Sequence, residues 1–507
     1  MNKETVNMDT MPLRWGHFRV LLVASLGQMT GASMATLIGI ILPLMQLFLH
    51  PELSSGAQGA IGCTGLVGIM IGSLLFGRLS DEHGYLFFFR FCPALVLTGS
   101  LLAFLADGLT GLIIGLFIMG IGVGGAYSLD SDYISELMPK KWRLLMVGVA
   151  KAFSAVGNIL IALICFFLLK EWNDPLLWNR LLLLITVITG LMLVTRIRFT
   201  QSPGWLIAHG RIAEAETAVR YFLGSDVVIG ELRVRPLKHK KGIRGAQTET
   251  PSLSARSDTA AVSSGAATAV SDVATRSAAA ASDTAVSSSE ATYEVSWSDL
   301  LRQTANRRRV ILSAIPWACE GVSVYGVGIF TPLLIMALGL SSDSPNGFDR
   351  VLSSVEVTAG INLFILFGFI IGLSLVNRWK HLRMQAGGFL LATAGLFLLW
   401  AAYRFHLPTT VAVIGFMAFQ LFLNAGPHLT TFILPAQIYS VSERGSGTGL
   451  AASAGKLGAV IGVLFIPLLL AWGGVELILL VVMLINLTGA LVTWLVGREV
   501  FHPLKHE

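Results

Sequence analysis

Long apolar runs separated by short polar turns dominate this chain. Each run has about the 20 residues that a helix needs to cross a bilayer core. The pattern predicts twelve transmembrane helices, six before and six after a polar insert, and therefore an all-α membrane protein. The expected helices lie near residues 18–48, 58–77, 86–106, 111–138, 144–169 and 177–197, and then near 309–338, 353–376, 384–402, 409–439, 448–471 and 474–497.

These runs divide the chain into five segments. We expect an N-terminal segment (1–17), a six-helix bundle (18–198), an insert (199–308), a second six-helix bundle (309–497) and a C-terminal tail (498–507). The insert opens with a predicted amphipathic helix that ends near Phe222. Its residues 245–291 form an Ala/Ser/Thr tract with almost no aromatic side chain, so they cannot bury enough apolar area to offset the entropy of ordering. We predict that this tract is disordered.

Composition supports a membrane environment. Hydrophobic residues make up 54% and charged residues 13% of the chain, and mean hydropathy is +0.71, whereas a soluble domain has about 25% charged residues. The net charge of +6 could suggest nucleic acid, but the basic residues lie at the ends of apolar runs. Their placement in alternate turns predicts that both termini and the insert are cytoplasmic, in a plasma or bacterial inner membrane, with no nucleic-acid partner.

No residue pattern predicts catalysis or a cofactor. The four cysteines lie inside apolar runs without disulfide or metal spacing, at Cys63, Cys92, Cys165 and Cys319. No clustered histidines or metal-ligand set is visible. We therefore expect no catalytic residue, no metal, no cofactor and no enzymatic activity.

Several ionisable residues fall at membrane depth, where a charge costs about 2.5–3.5 kcal/mol and usually faces a cavity or a partner. Glu320 lies well inside an apolar run, and a desolvated carboxylate binds a proton more readily, so it is the first candidate for proton coupling. Asp130 is the second, with an alternative as a structural ion pair. Lys151 either contacts a substrate or extends to the interface.

Other polar residues complete the set of candidates. His428 follows a Gly-Pro pair that should break its helix and let the imidazole line a cavity. Gln28 is a polar candidate in a first helix without any acid between residues 20 and 48. Glu136 and Arg143 suit a gating charge pair at the cytoplasmic ends of adjacent helices.

The turn after the second predicted helix is similar to the signature loop of the major facilitator superfamily. It reads Gly77-Arg78-Leu79-Ser80-Asp81-Glu82-His83-Gly84. The resemblance implies a gating role for Asp81, which could cap the next helix and pair with cationic neighbours. Tyr85 and Leu86 replace the basic residues that usually follow the loop.

A longer stretch resembles the tenth and eleventh helices of the phosphate:proton and metabolite:proton symporter branch of that superfamily. It runs from Asn424-Ala425-Gly426-Pro427-His428 through Tyr439, and continues from Ser446 to Ala459 with Lys456 in register. The segment Gly122–Leu129 and the opening Ser202-Pro203-Gly204-Trp205-Leu206 of the insert are also similar. The resemblance implies the major facilitator fold, with two six-helix bundles related by a pseudo-two-fold axis.

Individual positions agree only in part with that branch. Tyr127, Trp317, Tyr325 and Lys456 stand where it has the same residue types around its anion. Other positions differ from the branch. Ala126 and Gly321 stand where it has aspartates, His428 stands where it has an asparagine, and Ser154 stands where it has a glutamine. The resemblance thus implies a site that contains Tyr127, Ser154, Trp317, Tyr325, His428 and Lys456, to which the depth of Lys151 in its helix adds that residue, but the changes argue against phosphate.

The sequence favours a secondary active transporter that carries a small anion or organic acid, phosphate-like or a carboxylate, together with protons by alternating access. Efflux of drugs or metabolites by antiport is an alternative, and a nutrient sensor that does not transport is a third hypothesis. The expected partners are a small solute, protons and the lipid bilayer. We expect a monomer.

Overall fold

The computed structural model describes residues 4–6, 11–48, 53–174, 178–223, 227–229, 304–439 and 444–501. Most of the insert, including the tract 245–291 predicted to be disordered, lies outside these ranges. Some side chains within the described helices, among them those of Asp81 and Glu136, also lie outside the description.

Six long helices form the N-terminal half. They are α1 (Trp15–Phe48), α2 (Ser55–His83), α3 (Tyr85–Phe104), α4 (Leu109–Leu137), α5 (Lys140–Trp172) and α6 (Trp178–Ile197). Each is long and apolar enough to cross a bilayer. Two short helices follow, α7 (Pro203–Ala208) and α8 (Ile212–Leu223). In α8 the buried positions Ala215, Ala218, Val219 and Phe222 lie on one face, as expected for an amphipathic helix.

The C-terminal half contains less regular helices. They are α9 (Thr304–Gly321), a π-helical segment (Val322–Val327), α10 (Thr331–Ala337), α11 (Gly347–Leu375), α12 (His381–Arg404), α13 (Thr409–Ala425), α14 (Pro427–Ile438) and α15 (Arg444–Phe501). The last helix contains a break at Gly473 and Gly474, where the backbone leaves helical geometry. It therefore supplies two spans, and the prediction of an all-α membrane protein with twelve spans is confirmed.

Two predicted helices are interrupted within the described residues. The seventh span changes to π geometry at Val322, and the tenth span breaks at Gly426, whose φ of −115° and ψ of −90° are not helical. The break before His428 follows from Pro427, which has no N–H to donate and restricts the preceding residue. Both irregular segments lie at the middle of their spans.

Close packing of small residues joins α2 to α4. A Cβ at Gly72 would lie 2.0 Å from the carbonyl oxygen of Ile121, and a Cβ at Gly124 would lie 2.1 Å from that of Ile69. Any larger residue would push the two backbones apart. The glycine pairs in these runs thus allow close helix contact, as is typical of membrane bundles.

The side of the bundle that carries the start of α1 and the end of α15 is called the terminal face below. On this face Gln201, before α7, accepts a hydrogen bond from the Leu86 N–H at 2.8 Å. Arg90 donates to the carbonyl oxygens of Ile197 and Phe199 at 2.7 and 2.9 Å. A short parallel strand pair, β1 (Glu4–Val6) with β2 (Val227–Ile229), was not predicted from the sequence pattern.

The expectation that Asp81 caps the next helix is wrong. Helix α2 continues through Asp81 to His83, and Gly84, with a φ of +93°, separates α2 from α3. The turn is one residue long because glycine adopts this backbone conformation without steric cost. Asp81 is therefore inside the last turn of α2, and its gating role stays a prediction.

The two halves touch directly on the side opposite the terminal face. A Cβ at Gly39 of α1 would lie 1.9 Å from the carbonyl oxygen of Ile329, and one at Gly59 of α2 would lie 2.6 Å from that of Leu464. Such separations leave no room for a solute between these helix ends. The structure is closed at this side.

Candidate functional site

A cluster of polar and aromatic side chains lies between the two halves, near the middle of the bundle. The N-terminal half contributes Tyr127 from α4 and Lys151 from α5. The C-terminal half contributes Trp317, Glu320, Tyr325, His428, Phe432 and Lys456. Tyr127 is ten residues from the end of α4, or about 15 Å at 1.5 Å per residue, which is half the thickness of a bilayer core. We call this group the central cluster.

Lysines from opposite halves converge on one aromatic ring. The Lys151 Nζ lies 5.4 Å and the Lys456 Nζ 5.2 Å from the centroid of the Tyr127 ring. Aromatic faces attract cations and stabilise an ammonium by about 0.5–2 kcal/mol. That stabilisation is small against the several kcal/mol that burial of a charge costs. The ring contacts alone therefore do not offset the cost of holding either ammonium group in this place, and a nearby negative charge would.

Hydroxyl groups link the two halves beside the lysines. The Tyr127 and Tyr325 hydroxyls are hydrogen-bonded to one another. The Lys456 Nζ donates to the Tyr325 hydroxyl at 3.3 Å and lies 4.9 Å from the centroid of the Tyr325 ring. Tyr325 occupies the π-helical segment, where the wider turn alters which residues face the neighbouring helices.

Glu320 and His428 face each other within the C-terminal half. The His428 Nδ1 lies 3.5 Å from the Glu320 Oε1, and the two side chains are only 7% and 3% exposed. That contact does not satisfy hydrogen-bond geometry, and it is an ion pair only when His428 is protonated. Glu320 also interacts with the charges of Lys151 and Lys456. With both lysines protonated, Glu320 ionised and the imidazole neutral, these four residues carry a formal net charge of +1.

An aromatic wall closes one side of the cluster. Trp317 and Phe432 pack with ring centroids 4.8 Å apart, and the Lys151 Nζ lies 5.0 Å from the centroid of the Phe432 ring. Phe432 is not among the site residues predicted from the sequence. The available signal was its position four residues after His428, which places both on the same face of α14.

Asp130 does not join the cluster. Its Oδ1 lies 2.6 Å from the Arg196 Nη2, and both side chains are at most 1% exposed. Arg196 also donates to the Phe89 carbonyl oxygen at 3.2 Å and lies over the Phe89 ring. The structure thus shows the alternative in which Asp130 is held in an ion pair, and its partner Arg196 was missed by the sequence analysis.

The remaining candidates have less defined roles. Ser154 lies one turn after Lys151, and its hydroxyl donates to the Lys151 carbonyl oxygen at 2.7 Å. Gln28 is buried, and its Oε1 has no hydrogen-bond partner among the described residues. Arg143 donates to the Met138 carbonyl oxygen at 3.4 Å, at the turn between α4 and α5. Contacts of Gln28, Ser154 and Arg143 with a solute stay predictions, as do the gating roles of Asp81 and Glu136.

All four cysteines are buried, and none forms a disulfide. Among the described residues, no three histidine, cysteine or acidic side chains lie together in a way that could hold a metal ion.

Comparison with known proteins identifies relatives along nearly the whole chain. The chain matches the sugar (and other) transporter family over residues 20–502. It is 26% identical to the inner membrane metabolite transport protein YgcS of Escherichia coli (strain K12), over 98% of this chain and 95% of that protein. It is also 26% identical to the repressible high-affinity phosphate permease of Neurospora crassa, over 90% of this chain and 78% of that protein.

Solved structures show the same fold. The partially occluded inward open structure of the xylose transporter XylE from E. coli superposes with a TM-score of 0.67 at 18% identity, over 94% of this chain and 98% of that one. The resemblance to the superfamily that the signature loop and the tenth span indicated is thereby confirmed. The chain belongs to the sugar (and other) transporter family, and it is a multi-pass membrane transporter with the fold of the major facilitator superfamily.

Proposed function

We propose that this transporter carries a small anion or organic acid together with a proton. The observation that supports this most strongly is the convergence of Lys151 and Lys456, one from each half, on the Tyr127 ring. Two half-buried ammonium groups with a single nearby carboxylate among the described residues leave an uncompensated positive charge, which an anion neutralises and a neutral sugar does not. An anion bound by both lysines also bridges the two halves. Its binding can therefore be coupled to the rocking of one half against the other.

Glu320 is the proposed proton site. It faces His428 on α14, Lys151 on α5 and Lys456 on α15. Protonation removes the one negative charge and raises the net charge of the cluster from +1 to +2, so a proton strengthens anion binding. By linkage, a bound anion strengthens proton binding by the same factor. Anion affinity should therefore rise as pH falls.

Uptake into proteoliposomes tests this function. Wild-type protein should accumulate a labelled anion when the outside is more acidic than the inside. Glu320→Gln has the charge of the protonated state, so it should still exchange labelled for unlabelled anion but should not accumulate it. Glu356→Gln, at an exposed carboxylate of α11, is the matched control and should behave as wild type.

Three results would contradict the proposal. Gradient-driven accumulation by Glu320→Gln equal to that of wild type would exclude Glu320 as the proton site. Accumulation only with the gradient reversed would indicate antiport and efflux. Uptake of neutral sugars in preference to all anions would exclude the anion assignment.

We also propose that one chain suffices and that its termini are cytoplasmic. Both lysines, the carboxylate and the aromatic wall come from the same chain, so the central cluster needs no second copy. The basic residues in the turns at the terminal face support this orientation.

A further inference from the structure

We infer that the preferred solute is an organic monocarboxylate with a flat, aromatic or heteroaromatic body, which stacks on Phe432 while its carboxylate lies between Lys151 and Lys456. This inference rests on the proposed anion transport and narrows the class of anion.

Phe432 is the first observation. Its side chain is 41% exposed, although it contacts Trp317 of α9 and the Lys151 ammonium of the opposite half. A ring that reaches across to the other half faces the space between the halves and not the lipid. Its exposed face is an apolar surface beside a cation, which matches a ligand with a charged end and an apolar body.

The kind of donors in the cluster is the second observation. A phosphate presents at least three strong acceptor oxygens and needs many directed N–H donors, whereas a carboxylate presents only two oxygens. Among the described residues that contact Lys151 or Lys456 there is no arginine, and the two ammonium groups lie mainly over ring faces. Such a site supplies two cations and hydroxyls, which is enough for one carboxylate.

Charge balance is the third. Lys151, Lys456 and ionised Glu320 sum to a net charge of +1, which a monoanion neutralises completely. With Glu320 protonated, as in the proposed state that holds both proton and anion, the net charge is +2, so the apolar lining and not the charge must exclude a dianion. Trp317 and Phe432 form the apolar remainder of the site, and they would not stabilise a second charged group on the solute. They favour a planar ring that stacks on them at van der Waals distance.

Binding measurements on the purified full-length protein test the inference. Benzoate, cyclohexanecarboxylate, acetate and inorganic phosphate are titrated separately by calorimetry. Benzoate should bind about three- to tenfold more tightly than cyclohexanecarboxylate, which has the same charge and similar size but no flat ring. Acetate should bind more weakly than both, and phosphate more weakly than benzoate.

Variants of the ring separate stacking from size. Phe432→Leu keeps the site apolar and should remove the preference for benzoate over cyclohexanecarboxylate without changing acetate affinity. Phe432→Tyr keeps the ring and should retain the preference. Phe397→Leu, at an exposed ring of α12 far along the chain from the cluster, is the control for the loss of an exposed aromatic. Thermal unfolding without ligand verifies that each variant is folded.

The outcomes distinguish this inference from the proposed function. Equal binding of benzoate and cyclohexanecarboxylate by wild type, tighter binding of phosphate, or an unchanged preference in Phe432→Leu would overturn the flat-ring solute but leave anion transport standing. The flat-ring solute and the proposed anion transport would both be contradicted if no anion bound to wild type. They would also both be contradicted if Lys456→Met weakened the binding of no anion.

Discussion

At the residue scale, the protein buries two kinds of charged site. In the N-terminal half, Asp130 and Arg196 form an ion pair at 2.6 Å and are sealed from solvent, although the Asp130 Oδ2 and the Arg196 Nε have no hydrogen-bond partner among the described residues. In the central cluster, two lysines share one carboxylate and remain partly accessible. The first arrangement is balanced in charge and closed to solutes, whereas the second has an excess of positive charge and is partly accessible. This difference is why we assign structure to one and binding to the other.

Asp130→Asn should destabilise the protein by about 3–5 kcal/mol, because it leaves the buried Arg196 guanidinium without a counter-charge. The double variant Asp130→Asn with Arg196→Met should recover part of this loss. Asp343→Asn, at an exposed position before α11, is the control. Thermal unfolding in detergent measures all three. If Asp130→Asn kept wild-type stability and lost only proton-driven uptake, Asp130 would be a proton site instead.

The sequence indicated which ionisable residues lie at membrane depth, but it did not indicate which of their side chains contact one another. Arg196 ends an apolar run, where a cation usually marks the interface, and only the packing of α3 and α4 around it makes it buried. The register of Trp317 and Tyr325 also could not be fixed from the sequence. The π-helical turn that begins at Val322 shifts Tyr325 relative to an ideal helix, and hydrophobic periodicity does not reveal such a turn.

At the element scale, the irregular parts of two spans place the chemistry. The π-helical segment presents Tyr325, and the break at Gly426 presents His428. The break at Gly426 could be predicted from the Gly-Pro pair in the sequence, because proline removes a helix hydrogen bond. The π-helical segment, in contrast, depends on how α9 packs against α15. A Cβ at Gly455 would lie 2.4 Å from the Trp317 Cδ1, so this glycine makes room for the indole of the cluster.

Gly455→Ala should therefore shift Trp317 and cost about 1–3 kcal/mol of stability, as overpacking of a close contact does. It should also weaken anion binding, since Trp317 packs on Phe432. Gly449→Ala in the same helix is the matched control, because a Cβ there meets nothing within 4 Å. It should be neutral or stabilising by up to about 1 kcal/mol from helix propensity. Equal effects of the two substitutions would contradict this role of Gly455.

At the scale of the whole molecule, the halves are in contact opposite the terminal face, through Gly39 with Ile329 and Gly59 with Leu464. The helix count, the two halves and the position of the insert followed from the apolar pattern, since bilayer thickness fixes helix length. The closed side did not follow from it, because contacts between distant helices depend on packing that a hydropathy pattern does not contain. Alternating access requires these contacts to open.

Gly59→Val should favour opening on this side, because its side chain collides with the Leu464 carbonyl oxygen. Cys63, one turn further along α2, then reports the change. In a background where Cys92, Cys165 and Cys319 are replaced by alanine, an impermeant maleimide added on that side should label Cys63 about tenfold faster. Gly387→Val, where a Cβ meets nothing within 4 Å, is the control. Unchanged labelling in Gly59→Val would show that this contact does not hold the side closed.

The most direct test of the account is whether the lysines of the two halves bind the same anion. Calorimetric titration compares wild type, Lys151→Met, Lys456→Met and the double variant with the carboxylate that wild type binds most tightly. Each single substitution should weaken binding by about tenfold or more, since a hydrogen bond to a charged group contributes about 1.5–3 kcal/mol. The double variant should show no measurable binding. Wild-type affinity in either single variant would contradict the claim that the anion bridges the two halves.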